Sequence, residues 1–186
     1  MHRRFFLSFS GLLLILLAPF TSPPTSAQTQ DAAKQPPLSP SATAEATIGG
    51  KKISIAYSAP SMRGRKIMGE LVPFGKVWRT GANAATTLVT EADLTIGDLP
   101  VPKGTYTIFT LPGQTEWKLI VNKQTGQPVT KYSELQDLGR VPLQVKQLSA
   151  PVEKFVIMIE PANGNKGVLK MMWERTELSV PISITQ

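Results

Sequence analysis

Over most of the chain, apolar residues recur at every second position, the spacing of a strand with one buried face. Ile53, Ile55 and Tyr57 alternate with Lys52, Ser54 and Ala56, which predicts a half-buried strand. Short β-branched runs at residues 86–90 and 94–96 are separated by Glu91-Ala92-Asp93, a predicted turn. Residues 105–111 and 116–122 flank Pro112-Gly113-Gln114-Thr115, the composition of a hairpin with a four-residue loop. In its second strand Trp117, Leu119 and Val121 share one face. Residues 155–160 are apolar on both faces, as a central strand requires.

The C-terminal pattern changes phase. Leu169, Met171 and Trp173 occupy odd positions, whereas Leu178, Val180, Ile182 and Ile184 occupy even ones. Because strand side chains alternate faces strictly, this switch predicts a bulge or tight turn within residues 174–177. Helix is scarce: residues 66–72 have room for a turn, and residues 132–138 for a short helix capped by Ser133. Many short strands punctuated by Pro and Gly predict an all-β fold. The expected form is an antiparallel β-sandwich, jelly-roll-like or similar, with one or two short helical turns.

The N-terminus follows other rules. His2, Arg3 and Arg4 precede an almost wholly apolar run over residues 5–20, then Pro19, Pro23 and Pro24, then Thr25-Ser26-Ala27. Basic, apolar and small-residue blocks in that order predict a secretory signal peptide over residues 1–27. The apolar run is short of the roughly 20 residues a membrane span needs, so no stable membrane anchor is expected after cleavage. Residues 28–45 hold Pro36, Pro37 and Pro40 and almost no large apolar side chain, which predicts a disordered spacer. A single domain is expected over residues 46–186, in the periplasm or outside the cell.

Composition narrows the chemistry. The chain carries 20 Lys+Arg against 13 Asp+Glu; removing Arg3 and Arg4 with the signal peptide leaves an excess of +5. That modest excess does not by itself suggest a nucleic-acid partner, for which a denser basic stripe is expected. There is no cysteine, and the one histidine is His2. A mature chain without either cannot form a Ser-His-Asp triad or a Cys-His pair, nor an ordinary zinc or copper site. No metal and no cofactor is implied. Carboxylates remain, with Glu70, Glu160 and Glu174 as candidates if two of them face one cleft at about 5–10 Å. Ser58 or Ser61 with Lys66 lacks an accompanying oxyanion-hole motif, and Asp93 and Asp98 do not make a calcium-type loop.

One stretch carries a recognisable set of motifs: Tyr57-Ser58-Ala59-Pro60-Ser61, Arg63-Gly64-Arg65, and an unbroken Gly69-Glu70-Leu71-Val72-Pro73-Phe74-Gly75-Lys76-Val77-Trp78-Arg79-Thr80-Gly81-Ala82-Asn83. Downstream lie Pro102-Lys103-Gly104-Thr105-Tyr106, Glu116-Trp117, Trp173-Glu174-Arg175-Thr176 and Val180-Pro181-Ile182. From about residue 50 to the C-terminus the chain resembles domain-of-unknown-function family 2911. Where similar chains often carry an acid after the asparagine, this one has Ala84. The resemblance implies an exported, β-rich domain of envelope-bearing bacteria, without an assigned activity.

The same stretch concentrates charge. Arg63, Arg65, Lys66, Lys76 and Arg79 are opposed there only by Glu70, so the window is +4 against +5 for the mature chain. Gly64, Gly69, Gly75 and Gly81 allow close backbone approach, and arginine suits bidentate contact with carboxylate or phosphate. One reading is a cradle for an anionic small molecule or glycan, contacted by Arg79, Asn83, Arg65 and Lys76, with Trp78 as a partly exposed aromatic platform. The other is a solvated connection in which Arg79 pairs with Glu70 or Glu174. Trp117 and Trp173 fall on apolar parities and are expected to be buried. The expected function is non-enzymatic recognition of an anionic or glycan ligand of the cell envelope. The alternatives are a carboxylate-dependent enzyme acting on envelope or polysaccharide material, and a structural envelope component pairing through an open strand edge.

Overall fold

A computed structural model describes residues 38–126 and 131–185. The expected signal peptide, and the spacer up to residue 37, lie outside them. The described residues form nine strands: β1 (Ser41–Ile48), β2 (Lys51–Ser58), β3 (Thr87–Thr90), β4 (Leu94–Ile96), β5 (Leu99–Val101), β6 (Gly104–Leu111), β7 (Trp117–Asn122), β8 (Asp137–Pro161) and β9 (Lys166–Ile184). All pair antiparallel, in the order β1-β2-β3-β6-β7-β8-β9-β4-β5. A 3₁₀ turn at Glu134–Gln136 is the one helical element among the described residues. Ser133 stands at its start without a side-chain capping bond. The fold is all-β, as the alternation predicts.

Pairing is continuous where a sandwich would have two separate sheets, and strand length is the reason. β8 runs for 25 residues and β9 for 19, more than one flat ladder accommodates. The start of β8 pairs with β7, from Asn122↔Asp137 to Trp117↔Leu143. From Gln144 onward it pairs with β9 instead. The chain after β2 then crosses to β8: Phe155 N–H donates to Pro60 O (2.8 Å) and Met62 N–H to Glu153 O (2.8 Å). Ile157 N–H donates to the Tyr57 hydroxyl (3.1 Å). One face of the sheet thereby encloses a single apolar core, to which Trp117 and Trp173 contribute buried side chains as expected.

Two local features were legible and one was not. The phase switch sits at Glu174, a non-glycine residue with φ of 53°; around it Val152 faces Glu174 and Gln147 faces Thr176. Between these pairs one residue on β9 thus opposes four on β8, and the inward parity passes from Trp173 to Leu178. The β6–β7 hairpin forms as predicted. The spacer, in contrast, ends earlier than expected, because residues 41–45 belong to β1. That strand pairs with β2 and turns Ala42, Ala44 and Ala46 toward the core, side chains too small to register as an apolar period. Its hairpin turns on Gly49 and Gly50, both left-handed (φ 54° and 73°), as a two-residue type I′ loop demands. The predicted turn at residues 91–93 exists but joins strands that do not pair: β3 lies between β2 and β6, β4 between β9 and β5.

Gly97, in the loop between β4 and β5, has φ of 61°, and a Cβ there would lie 2.5 Å from Val141 Cγ1. Gly97→Ala is expected to destabilise the domain by about 1–3 kcal/mol, read as a lower midpoint in chemical denaturation with an unchanged m-value.

Candidate functional site

Between β2 and β3 the chain leaves the sheet, and acids from distant strands hold it down. The Glu174 carboxylate accepts the N–H groups of Ile67 (3.3 Å) and Met68 (3.0 Å). The Glu153 carboxylate accepts that of Arg63 (2.9 Å). Ile67 and Val72 anchor the excursion in the core. The chain then returns beside β6, where Trp78 and Thr110 exchange two backbone hydrogen bonds (2.8 and 2.9 Å). The Trp78 ring packs on Trp173 (centroids 5.8 Å, planes 19° apart) and edge-on to Phe155 (5.1 Å). Trp78 is half-buried, packed against the core on one side.

Arg79 follows, half-buried, and Thr80 after it is strained. Thr80 has φ of 56° and is fully buried; a β-branched residue in that region costs about 1–3 kcal/mol and persists only where its surroundings over-determine it. Here the Thr86 hydroxyl donates to Thr80 O (2.8 Å), and the Thr80 hydroxyl donates to Thr110 Oγ1 (3.3 Å). The backbone that carries Arg79 is therefore pinned on both sides, by the Trp78 bridge and by this threonine cluster.

The opposite wall comes from the outer face of the sheet. Phe109 is buried yet stands apart from the main core; Tyr132 covers it edge-on (5.0 Å, 65°). The Tyr132 hydroxyl donates to Asp137 Oδ2 (2.6 Å) and accepts from Arg140 Nη2 (2.8 Å). Arg140 Nε also donates to Asp137 Oδ2 (3.0 Å), Arg140 pairs with Glu134 (2.8 Å), and Asn122 Nδ2 donates to Asp137 Oδ1 (2.9 Å). Burial first, and then the bond to Asp137, push the Tyr132 pKa up to about 12.

Together these walls enclose a cavity of about 360 Å³ lined by Leu71, Pro73, Lys76, Val77, Trp78, Arg79, Phe109 and Tyr132. Among the described residues no carboxylate lines it. The Lys76 and Arg79 side chains form no hydrogen bond or ion pair among the described residues. Four depressions among the described residues are larger; those of about 500 and 370 Å³ each hold a single cation, Lys118 beside Glu116 in the first and Lys166 in the second, and the other two are less suited to an anion. One, of about 780 Å³, has no charged lining residue. In the other, of about 520 Å³, Glu174 is occupied by backbone N–H groups, Arg175 by the Ser149 carbonyl, and Lys66 by Glu70 (3.5 Å).

Of the residues singled out from the sequence, the fold brings Lys76, Trp78 and Arg79 to this cavity and leaves Arg65 and Asn83 outside it. Arg65 turns back on its own loop, donating from Nε to Met62 O (3.0 Å) and from Nη2 to Ser61 O (2.8 Å). Asn83 Nδ2 donates to Ser39 O (3.2 Å). Arg63 is likewise occupied, by Leu38 O (2.7 Å). The five cations do not form one cradle, because a loop of left-handed turns exposes carbonyls that need donors, and the nearest long cations supply them. Arg79 pairs with neither Glu70 nor Glu174. Sequence reasoning passed over Phe109, Tyr132, Asp137 and Arg140. A signal was present for the first: Ile108-Phe109 and Leu119-Ile120-Val121 are apolar on both faces, which requires the outer face to be covered as well.

The family model described as "Protein of unknown function (DUF2911)" matches residues 39–182. No curated protein and no solved structure matches the chain.

A raised pKa means that the folded state holds the Tyr132 proton more tightly than the unfolded chain does. The corresponding stability is complete below about pH 10, the range of a free tyrosine, and is lost as pH rises through about 12. Denaturation midpoints at a series of alkaline pH values should therefore fall across that window. Tyr132→Phe should give a flatter profile there.

Proposed function

The chain belongs to the DUF2911 family of proteins of unknown function, and for it we propose non-enzymatic recognition of an anionic ligand of the cell envelope by an exported domain. The observation that carries this reading is the pairing of Lys76 and Arg79 in one cavity without a counter-charge. A half-buried guanidinium loses part of its hydration, and that loss is offset only by an opposing charge or by acceptors. Among the described residues neither reaches Lys76 or Arg79, so an anion from outside completes the site. Arginine offers a planar fork for a carboxylate or phosphate, and lysine adds a mobile point charge. A cavity of about 360 Å³ falls within the range of small-molecule sites.

Engagement of the acids favours binding over hydrolysis. Glu70 pairs with Lys66 (3.5 Å) and Glu160 with Lys170 (2.6 Å), and Glu174 accepts two backbone N–H groups. Acid–base catalysis by a carboxylate pair needs two side chains free to face one substrate, and each of these three has a structural occupation. Export rests on the basic, apolar and small-residue order of residues 1–27.

A thermal-shift screen of the protein against phosphorylated, uronic and peptidoglycan-derived compounds tests the reading, since a ligand of the native state raises the melting temperature. An anionic compound is expected to do so. Arg79→Ala should weaken its binding about 10- to 100-fold, the worth of one charge-assisted bond, with little change in the melting temperature of the free protein. Arg65→Ala should leave binding unaltered. Stabilisation that survives both Arg79→Ala and Lys76→Ala would count against the site.

A further inference from the structure

The hydrogen-bonding inventory of the cavity goes further, resting on the reading above, and says what kind of anion it accepts. Lys76 and Arg79 are donors only. The remaining polar lining side chain that faces Phe109 is Tyr132, and its hydroxyl already donates to Asp137 and accepts from Arg140. The other walls are Leu71, Pro73, Val77 and Phe109, whose side chains offer no acceptor. Trp78 is half-buried, with its ring stacked on Trp173, and its indole N–H is a donor only.

Such a wall suits acceptor-only groups and penalises hydroxyls. A sugar hydroxyl both donates and accepts, and sites that hold glycans meet it with side chains that can do the converse. Here each buried hydroxyl would find donors but no free side-chain acceptor among the described residues, and a donor buried without a partner weakens binding by about tenfold. Carboxylate and phosphate oxygens only accept. They are matched by guanidinium and ammonium alone.

The walls define the remainder of the ligand. Phe109 and Tyr132 meet at 65° with centroids 5.0 Å apart, forming an aromatic corner. Leu71, 45 % exposed, adds an apolar side chain reaching solvent. We propose that the occupant is a compound with one flat apolar ring carrying a single carboxylate or phosphate, held by Lys76 and Arg79 at the anionic end and by Phe109, Tyr132 and Leu71 along the ring. A polyhydroxylated glycan is excluded from the cavity on this account, although glycans were an equal expectation from the sequence.

Calorimetric titration of the protein with four probes decides the matter: phenyl phosphate, benzoate, inorganic phosphate and glucuronate. Phenyl phosphate is expected to bind at least about tenfold tighter than inorganic phosphate, from burial of its ring, and with a negative heat-capacity change. Benzoate should exceed glucuronate by a similar factor. Arg79→Ala should weaken phenyl phosphate and inorganic phosphate alike. Leu71→Ser, a change at an exposed position that leaves the fold intact, should weaken phenyl phosphate alone. Inorganic phosphate or glucuronate binding as tightly as its ring-bearing counterpart, with Arg79 still required, would overturn the ring class and leave the anion reading standing. Binding of none of the four, or binding indifferent to Arg79→Ala, would overturn both.

Discussion

The reversal of one residue, Glu174, organises the domain. With φ of 53° it shifts the phase of β9, so that Trp173 and, farther on, Leu178 both face inward from a single strand. The same reversal leaves its carboxylate free to accept the Ile67 and Met68 N–H groups, which fastens the long excursion between β2 and β3. Trp173 on one side of the reversal stacks with Trp78, and that contact, with the Trp78–Thr110 bridge, fixes where Arg79 leaves the backbone. Core parity, loop anchoring and site geometry thus share one cause. A left-handed non-glycine residue is costly, and it survives here because packing on one side and two hydrogen bonds on the other hold it.

The second constraint is that both faces of β6 and β7 are apolar. A sheet with one buried face needs a single core, whereas a strand such as residues 119–121 buries side chains on both faces and requires cover on the outer one too. Tyr132 supplies part of that cover, locked by Asp137, Arg140 and Asn122. The cavity lies where this outer cover meets the returning segment that carries Lys76 and Arg79. It is a boundary between two packing solutions, so its walls are apolar and its mouth is cationic.

Charge in the excursion was visible in the sequence as a block, and the fold divides it. Arg63 and Arg65 become structural donors to carbonyls, at Leu38 in one case and at Ser61 and Met62 in the other, while Lys66 meets Glu70. Only Lys76 and Arg79 of that block reach the cavity. Nothing in their local sequence distinguishes them from the others, since all five are long cations within two residues of a glycine. The distinction is which acceptors come within reach once the chain folds, and Leu38 is 25 residues from Arg63.

Alternation and punctuation were sufficient for the all-β class, the β6–β7 hairpin, the buried tryptophans and the position of the β9 reversal, because each depends on which face a side chain takes relative to near neighbours. The absence of Cys, with the one His at position 2, likewise restricts the chemistry open to the chain. Three features depended on tertiary structure: the continuity of the sheet through β8, the inclusion of residues 41–45 in β1, and the selection of Lys76 and Arg79 with Phe109 and Tyr132 as neighbours. Each is settled by hydrogen-bond partners and packing surfaces far apart along the chain, and a local pattern carries no record of which distant group will satisfy a given donor.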